Sequence, residues 1–352
     1  MIGPTLGLEE EFFVLFDGRP STASLLDLSK LLWEDPRRNF ARTATNFTRR
    51  PRDLMSTVEV STGVHITPDA LVGEALARRA DLARVMPRGL FAPVGMLPVD
   101  DAYHTAGLHL HLGVARRHLS TAYGNVARFL PVLVLASASS PWKGAERYGQ
   151  SYRLHASFAL GPLRDDPLHR FQDLIVTRRL GTLEIRALDP VWDPARLRAI
   201  VDAAWRLAAI ERPLGFSRER YNALRETYPR GGLTREVRDL ALELHDLTGF
   251  DPAWCEHTEA DRLADLAARE GHASVWRHLD GGVRRGDFSP CGTRDGRPAA
   301  WRGAAGMALY YAPKLPYIAL KGWREHHGAP HAAPDEPWER DARGSIDTPV
   351  RR

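Results

Sequence analysis

The sequence predicts a sheet backed by helices, and three observations carry that prediction. Over residues 1–215, short apolar segments alternate with stretches of helical period. Four of those segments put apolar residues on one face and charged or polar residues on the other. The composition, 43% hydrophobic and 26% charged over 352 residues, is that of an ordinary globular protein, which excludes a wholly disordered, collagen-like or coiled-coil chain. That length suits either about two domains or one large one.

Taken in order, residues 6–16 read as a strand and 57–64 as a second, ended by Thr67-Pro68, an N-cap with proline at the first helical position. Leu71, Val72, Ala75, Leu76, Leu82 and Val85 then recur at helical spacing over 69–86. Residues 89–96 and 107–114 read as strands. Residues 125–139 read as a buried helix carrying Pro131, followed by a loop over 140–153. Residues 181–188 form a further strand, and Asp193 caps a helix running from Pro194 to about Glu211. Beyond 215 the texture turns helical, with helices predicted over 234–247, stopped by Gly249, and over 258–279, opened by the capping box Thr258-x-x-Asp261. A Gly- and Arg-rich stretch follows over 281–302. The organisation expected is a single catalytic domain over 1–324, its motif-bearing core at about 5–215 and a divergent helical part at 216–324, with a poorly ordered tail over 325–352.

Several function classes fall away early. Cys255 and Cys291 do not form a disulfide framework or a CxxC pair. The net charge is +4, and only four of the 48 basic residues are lysine. The arginines are scattered among acids, with no basic arm and no aromatic-interleaved stripe, so no nucleic-acid partner is expected. The most apolar run, Phe129 to Ala138, is shorter than the ~20 residues that span a bilayer. The N-terminus is acidic at Glu9, Glu10 and Glu11, where a signal peptide would be basic and then apolar. A cytoplasmic protein without a membrane partner is expected.

The chemistry sits in the strand alternation. Residues i and i+2 share a face. Glu9 and Glu11 therefore share one, with Leu8 and Phe12 opposite. Glu59 faces away from Val58 and Val60; His109 and His111 share a face opposite Leu108, Leu110 and Leu112; Glu184 and Arg186 face away from Leu183 and Ile185. A solvated antiparallel sheet also alternates, but glutamate is depleted in strands. Crowded carboxylates repel unless cations neutralise them. A face of Glu and His without lysine points to bound metal. Several carboxylates with few nitrogen donors suit Mg²⁺ or Mn²⁺ completed by a phosphate-bearing ligand, where zinc would favour His and Cys.

Six ordered segments then stand out: Gly7-Leu-Glu-Glu-Glu-Phe12, Thr57-Val-Glu-Val-Ser-Thr-Gly63, Gly107-Leu-His-Leu-His-Leu-Gly113, Leu135-Ala-Ser-Ala-Ser-Ser-Pro141, Ser151-Tyr-Arg153 and Gly181-Thr-Leu-Glu-Ile-Arg186. Together they resemble the glutamate–cysteine ligase type 2 family, the ATP-dependent carboxylate–amine ligases. The resemblance covers residues 5–215 well and the rest weakly. It implies an α+β, glutamine-synthetase-like fold: a curved, mainly antiparallel sheet with helices packed on its convex face and the active site on the concave one. It further implies Glu9, Glu11, Glu59, His109 and Glu184 as metal ligands, His109, His111 and Arg186 as nucleotide-binding, and Arg186 and Arg153 as catalytic groups near the transferred phosphate and the acyl substrate. ATP and Mg²⁺ (or Mn²⁺) are the implied cofactors, and a small carboxylate and an amine the implied partners; a homo-oligomer is left open.

The sequence departs from the family in two places. Family members tend to carry an acid four to seven residues before the Glu59 position, where Arg52, Asp53 and Met55 stand; that ligand is either missing or supplied by Asp53. The loop after Pro141 usually reads Gly-x-Asp-Thr and here reads Gly144-Ala-Glu146-Arg147, a change expected to touch substrate. Asp189 is expected to end a strand or cap a loop rather than bind metal. Ser137, Ser139 and Ser140 are expected to bond a helix end, and His326-His327 to be solvated.

The leading expectation is an ADP-forming carbon–nitrogen ligase that makes an amide through an acyl phosphate; the family suggests glutamate and cysteine as the pair, but the altered Glu146-Arg147 loop predicts that this pair is turned over poorly and another acid–amine pair preferred. The rivals are a hydrolase or oxygenase using His109, His111 and a glutamate as metal ligands, and a nucleotide-binding pseudo-ligase, the latter motivated by the altered 52–55 and 144–147 segments.

Overall fold

The computed structural model describes residues 3–34, 40–43, 57–98, 105–157, 159–160, 172–177, 180–316 and 319–320. Arg52, Asp53, Met55, His326, His327 and the expected tail lie outside the described residues.

Strand β1 (Thr5–Phe16) is the axis of the molecule. It pairs with β4 (Thr57–Ser61) on one side and β6 (Leu108–Gly113) on the other. Beyond β4 lies β3 (Phe40–Thr43), and beyond β6 lie β10 (Leu183–Leu188) and β9 (Leu174–Val176). Two short strands, β2 (Arg19–Pro20) and β5 (Leu90–Ala92), also pair with β1. Every pairing among the described strands is antiparallel, and the class is α+β.

Helices cover the face that the even-numbered residues of β1 present. Leu6 and Leu8, with Leu108, Leu110, Leu112, Leu183 and Ile185, pack on α2 (Pro68–Val85), α3 (Leu119–Ser137) and α4 (Pro194–Ala209) in one core. Helix α2 starts as its sequence dictates: the Thr67 hydroxyl accepts from the Ala70 N–H and Pro68 follows the cap. Helix α3 begins at Leu119, earlier than the helix expected over 125–139. With the turn before it, Arg116–Ser137 forms the one described segment long and apolar enough to cross a membrane, but 72% of its most apolar 18-residue stretch is buried inside the fold. Its apolar character serves the core.

A second core joins the far half of β1, Phe12 to Phe16, to the C-terminal helices. Here the expected helix over 258–279 is two, α9 (Glu259–Glu270) and α10 (His272–Arg285). Gly271, at φ 82°, breaks it, because only glycine enters that backbone region without strain. Thr258 does cap α9, accepting from the Asp261 N–H. The Gly- and Arg-rich stretch is partly helical, since α10 runs through Gly281 and Gly282 to Arg285. Helix α1 (Ser24–Glu34) packs on α11 (Ala300–Tyr311), and α5 (Arg218–Arg225), α6 (Tyr228–Gly231), α7 (Arg235–Thr248) and α8 (Ala253–Glu256) complete the helical layer. The loop over 140–153 folds into a small hairpin of β7 (Trp142–Lys143) and β8 (Glu146–Arg147) and a 3₁₀ turn (Tyr152–Ala156).

Candidate active site

Register assembles the predicted residues. Glu9 stands opposite His109, Glu11 opposite Glu59, and His111 opposite Glu184. Directly opposed residues of an antiparallel ladder share a face, so four strands deliver these six side chains to one surface. Donor atoms of Glu9, His109 and Glu184 lie within 4.8 Å of one another. His109 Nδ1 is 3.5 Å from Glu9 Oε2 and 3.8 Å from Glu184 Oε1, and His111 Nε2 is 3.8 Å from Glu9 Oε1. Neither nitrogen makes a hydrogen bond, although both are shielded from solvent. Buried polar atoms are normally satisfied, and these two imidazole nitrogens facing carboxylates could hold a cation.

Protonation agrees. Burial first, then the positive charges of Arg186 and Arg153, push His109 down to about 3, leaving a neutral imidazole with a lone pair to offer. The facing imidazoles, His109 ahead of His111, hold Glu9 well below the usual carboxylate range. A neutral His109 beside an ionised Glu9 is the protonation state a metal ligand set requires. Glu11 and Glu59 sit next to this cluster with other contacts. The Gly107 N–H donates to Glu11 Oε2 at 2.7 Å, and the Ser61 hydroxyl donates to Glu59 Oε1 at 3.3 Å.

Two arginines border the acids. Arg186 sits in a bulge where the β6–β10 register shifts; its own N–H and that of Ala187 both donate to the Asp173 carbonyl, at 2.9 and 3.2 Å. Bulges re-aim side chains, and here the guanidinium Nη1 donates to Glu184 Oε1. Glu184 is therefore already paired with a cation, and Arg186, read from sequence as facing phosphate, faces Glu184 first. Arg153 is buried, and its Nη2 donates to the Arg186 carbonyl at 3.0 Å. Gly107 makes room for it: a Cβ there would lie 2.3 Å from Arg153 Nη2 and 3.0 Å from His109 Nε2.

The hairpin substitutions point elsewhere. Arg147 pairs with Asp261 of α9 at 2.5 Å, and both Glu146 and Arg147 are exposed. Gln150 Nε2 also donates to Asp261, at 3.1 Å. Arg147 thus clamps the loop to the C-terminal helices rather than to the acidic face. Asp189 follows the end of β10 and binds the loop after α3, accepting from the Ser139 N–H at 2.8 Å and the Ser140 hydroxyl at 2.7 Å. Ser137 bonds back to the Val134 carbonyl at the end of α3.

Sequence reasoning passed over two buried ion pairs beneath the site. Glu10, between the two site glutamates, turns to the helical face, where Arg79 of α2 grips it through Nε and Nη2 at 2.8 and 2.7 Å. Asp173, just before β9, accepts from Arg225 at 2.5 Å and from the Tyr221 hydroxyl at 2.7 Å. The signal for the first was present: Glu10 lies on the strand face of Leu8 and Phe12, and Arg79 lies in the apolar stripe of α2.

No family model matches the sequence, and no curated protein does. Solved structures do. Glutamate–cysteine ligase from Francisella tularensis, determined in complex with AMP, aligns over 98% of this chain and 99% of that chain, with TM-score 0.57 and 12% identity. The chain has the glutamate–cysteine ligase fold. A bifunctional glutathione synthetase from Pasteurella multocida aligns over 80% of this chain with TM-score 0.52 and 12% identity, and this chain spans about half, 52%, of its length. With the full-length match, the glutamate–cysteine ligase fold extends through the C-terminal third, where the motif resemblance was weak.

Proposed function

We propose that this protein is an ATP-dependent carboxylate–amine ligase that forms an amide through an acyl phosphate. The observation that carries the reading is the Glu9–His109–Glu184 cluster, whose orphaned imidazole and ionised carboxylate border two arginines on one sheet face. The fold, shared with a ligase solved with AMP, supports it. Glu9, His109 and Glu184 would hold Mg²⁺ or Mn²⁺, with Glu11 and Glu59 adjacent for a second ion. Such an ion supplies charge neutralisation at the phosphates of ATP. Arg186, still 24% exposed at its side chain, would reach the transferred phosphate from beside Glu184, and Arg153 would anchor the carboxylate of the acid. The surrounding sheet is expected to curve over the reactants and keep water from the acyl phosphate.

Glutamate and cysteine are the first pair to try, but the hairpin that differs from the family is tied to α9, so the acid is selected at Arg153 rather than by Glu146 and Arg147. The deciding experiment screens amino acids, with and without amines, for Mg²⁺- and ATP-dependent phosphate release, with mass detection of the amide. Amide formation with stoichiometric ADP supports the reading. Metal-dependent turnover without ATP would replace it with a hydrolase, and ATP binding without turnover with a nucleotide sensor.

A further inference from the structure

Arg153 is 7% exposed, and its Nε and Nη1 have no hydrogen-bond partner. No carboxylate among the described residues lies within ion-pair distance of it. An unmatched buried cation is strongly unfavourable, so something must offset its charge. Asp189, fully buried, is joined to the Arg153 backbone through a single hydroxyl. The Ser140 hydroxyl donates to Asp189 Oδ2 at 2.7 Å, and the same oxygen of Ser140 accepts from the Arg153 backbone N–H at 3.3 Å. Asp189 Oδ2 also accepts from the Ser139 N–H, and Oδ1 accepts from the Ser151 hydroxyl at 3.3 Å. Gly95 closes the remaining side: a Cβ there would lie 2.2 Å from Oδ1. The carboxylate is fastened on all sides by groups other than the arginine.

We propose that Asp189 is a positioning residue, a counter-charge tethered by Ser139, Ser140 and Ser151 so that it offsets Arg153 without occupying its Nε and Nη1, which are left without a protein partner for a substrate carboxylate to meet. A carboxylate free to turn would pair with the guanidinium directly and close the subsite. Burial lowers the Arg153 pKa and raises that of Asp189, and each group's charge opposes the other's shift, aided at Asp189 by its serine hydrogen bonds. The inference rests on the reading of Arg153 as the anchor for the acid.

The test uses the metal-free full chain and glutarate as a dicarboxylate probe, followed by calorimetry and melting. Asp189→Asn keeps the shape and removes the charge. The melting temperature without ligand should fall, and glutarate should bind at least threefold more tightly, because the ligand becomes the main counter-charge. In the Arg153→Gln background, Asp189→Asn should leave glutarate binding unchanged. A merely structural aspartate would lower melting equally with and without glutarate. Equal glutarate affinity in parent and Asp189→Asn, or no glutarate binding by either, overturns the proposal. Should Asp189→Asn fail to fold, Ser151→Ala decides: releasing Oδ1 toward Arg153 should weaken glutarate at least threefold, and unchanged affinity overturns the proposal. Because none of these measurements needs ATP, failure of the ligase reading would show only in the amide screen.

Discussion

The two faces of β1 treat neighbouring glutamates in opposite ways. Glu10, on the helical face, meets a bidentate guanidinium from Arg79, which also donates to the Val191 and Trp192 carbonyls at 2.6 and 2.8 Å. Each guanidinium nitrogen of Arg79 has an acceptor. Glu9, one residue earlier, faces two imidazoles that do not reach hydrogen-bond distance, and its side chain is 38% exposed. The first arrangement fixes a strand to a helix. The second leaves lone pairs waiting. The same residue type in the same strand is structural or chemical according to whether its partner is already complete.

The comparison can be broken first at the closed face. Arg79→Ala should destabilise the protein by about 3–5 kcal/mol, since it strands a buried carboxylate, read as a lower urea midpoint. Replacing Glu10 and Arg79 together by Met should recover most of that loss, because the desolvation of both charges is removed along with their attraction. A loss below about 1 kcal/mol for Arg79→Ala would show the pair to be dispensable.

At the open face the expectation reverses. Glu9→Gln should weaken Mg²⁺ or Mn²⁺ at least tenfold, about 1.4 kcal/mol or more, in a calorimetric titration. Stability of the metal-free chain should stay within about 0.5 kcal/mol, the range of substitutions that leave packing intact. A large drop in metal-free stability with no change in metal affinity would make Glu9 a second Glu10.

Arg186 tests the boundary between the two behaviours, being paired with Glu184 yet partly exposed. Arg186→Lys keeps the charge and loses the planar donors, and should lower ATP-dependent kcat by about tenfold, ~1.4 kcal/mol in the transition state. Unchanged kinetics would leave Arg186 as the partner of Glu184 alone.

How much of this was legible from the sequence depends on range. Period-2 alternation places Glu9, Glu11, Glu59, His109, His111 and Glu184 on polar faces without any knowledge of strand order, and register then brings Glu9 to His109. Alternation cannot tell which cation answers which acid. Arg79 and Glu10 lie 69 residues apart, and Arg225 and Asp173 lie 52 apart; each reads locally as a misplaced charge. The hairpin misled for the same reason. Arg147 looks like a substrate residue beside the motifs, but its partner Asp261 comes from a helix 114 residues later. The division of the 258–279 helix was visible in principle, since Gly271 interrupts an otherwise regular apolar period.

The second core has a consequence for how the chain is made. Phe12 to Phe16, the far half of the first strand, share one core with residues of α9 and α10 and with Tyr310 of α11. Asp280 of α10 accepts the Phe91 N–H of β5 at 2.9 Å, and the Asp17 N–H donates to the Asp295 carbonyl at 2.6 Å. On a ribosome the motif-bearing half therefore emerges with its second core still incomplete. At roughly 5–20 residues per second, the interval between residue 215 and α11 lasts about 5–20 s. During that time the apolar side chains that α9, α10 and α11 add to that core are not yet in place, and those they meet on β5 and α1 wait for them.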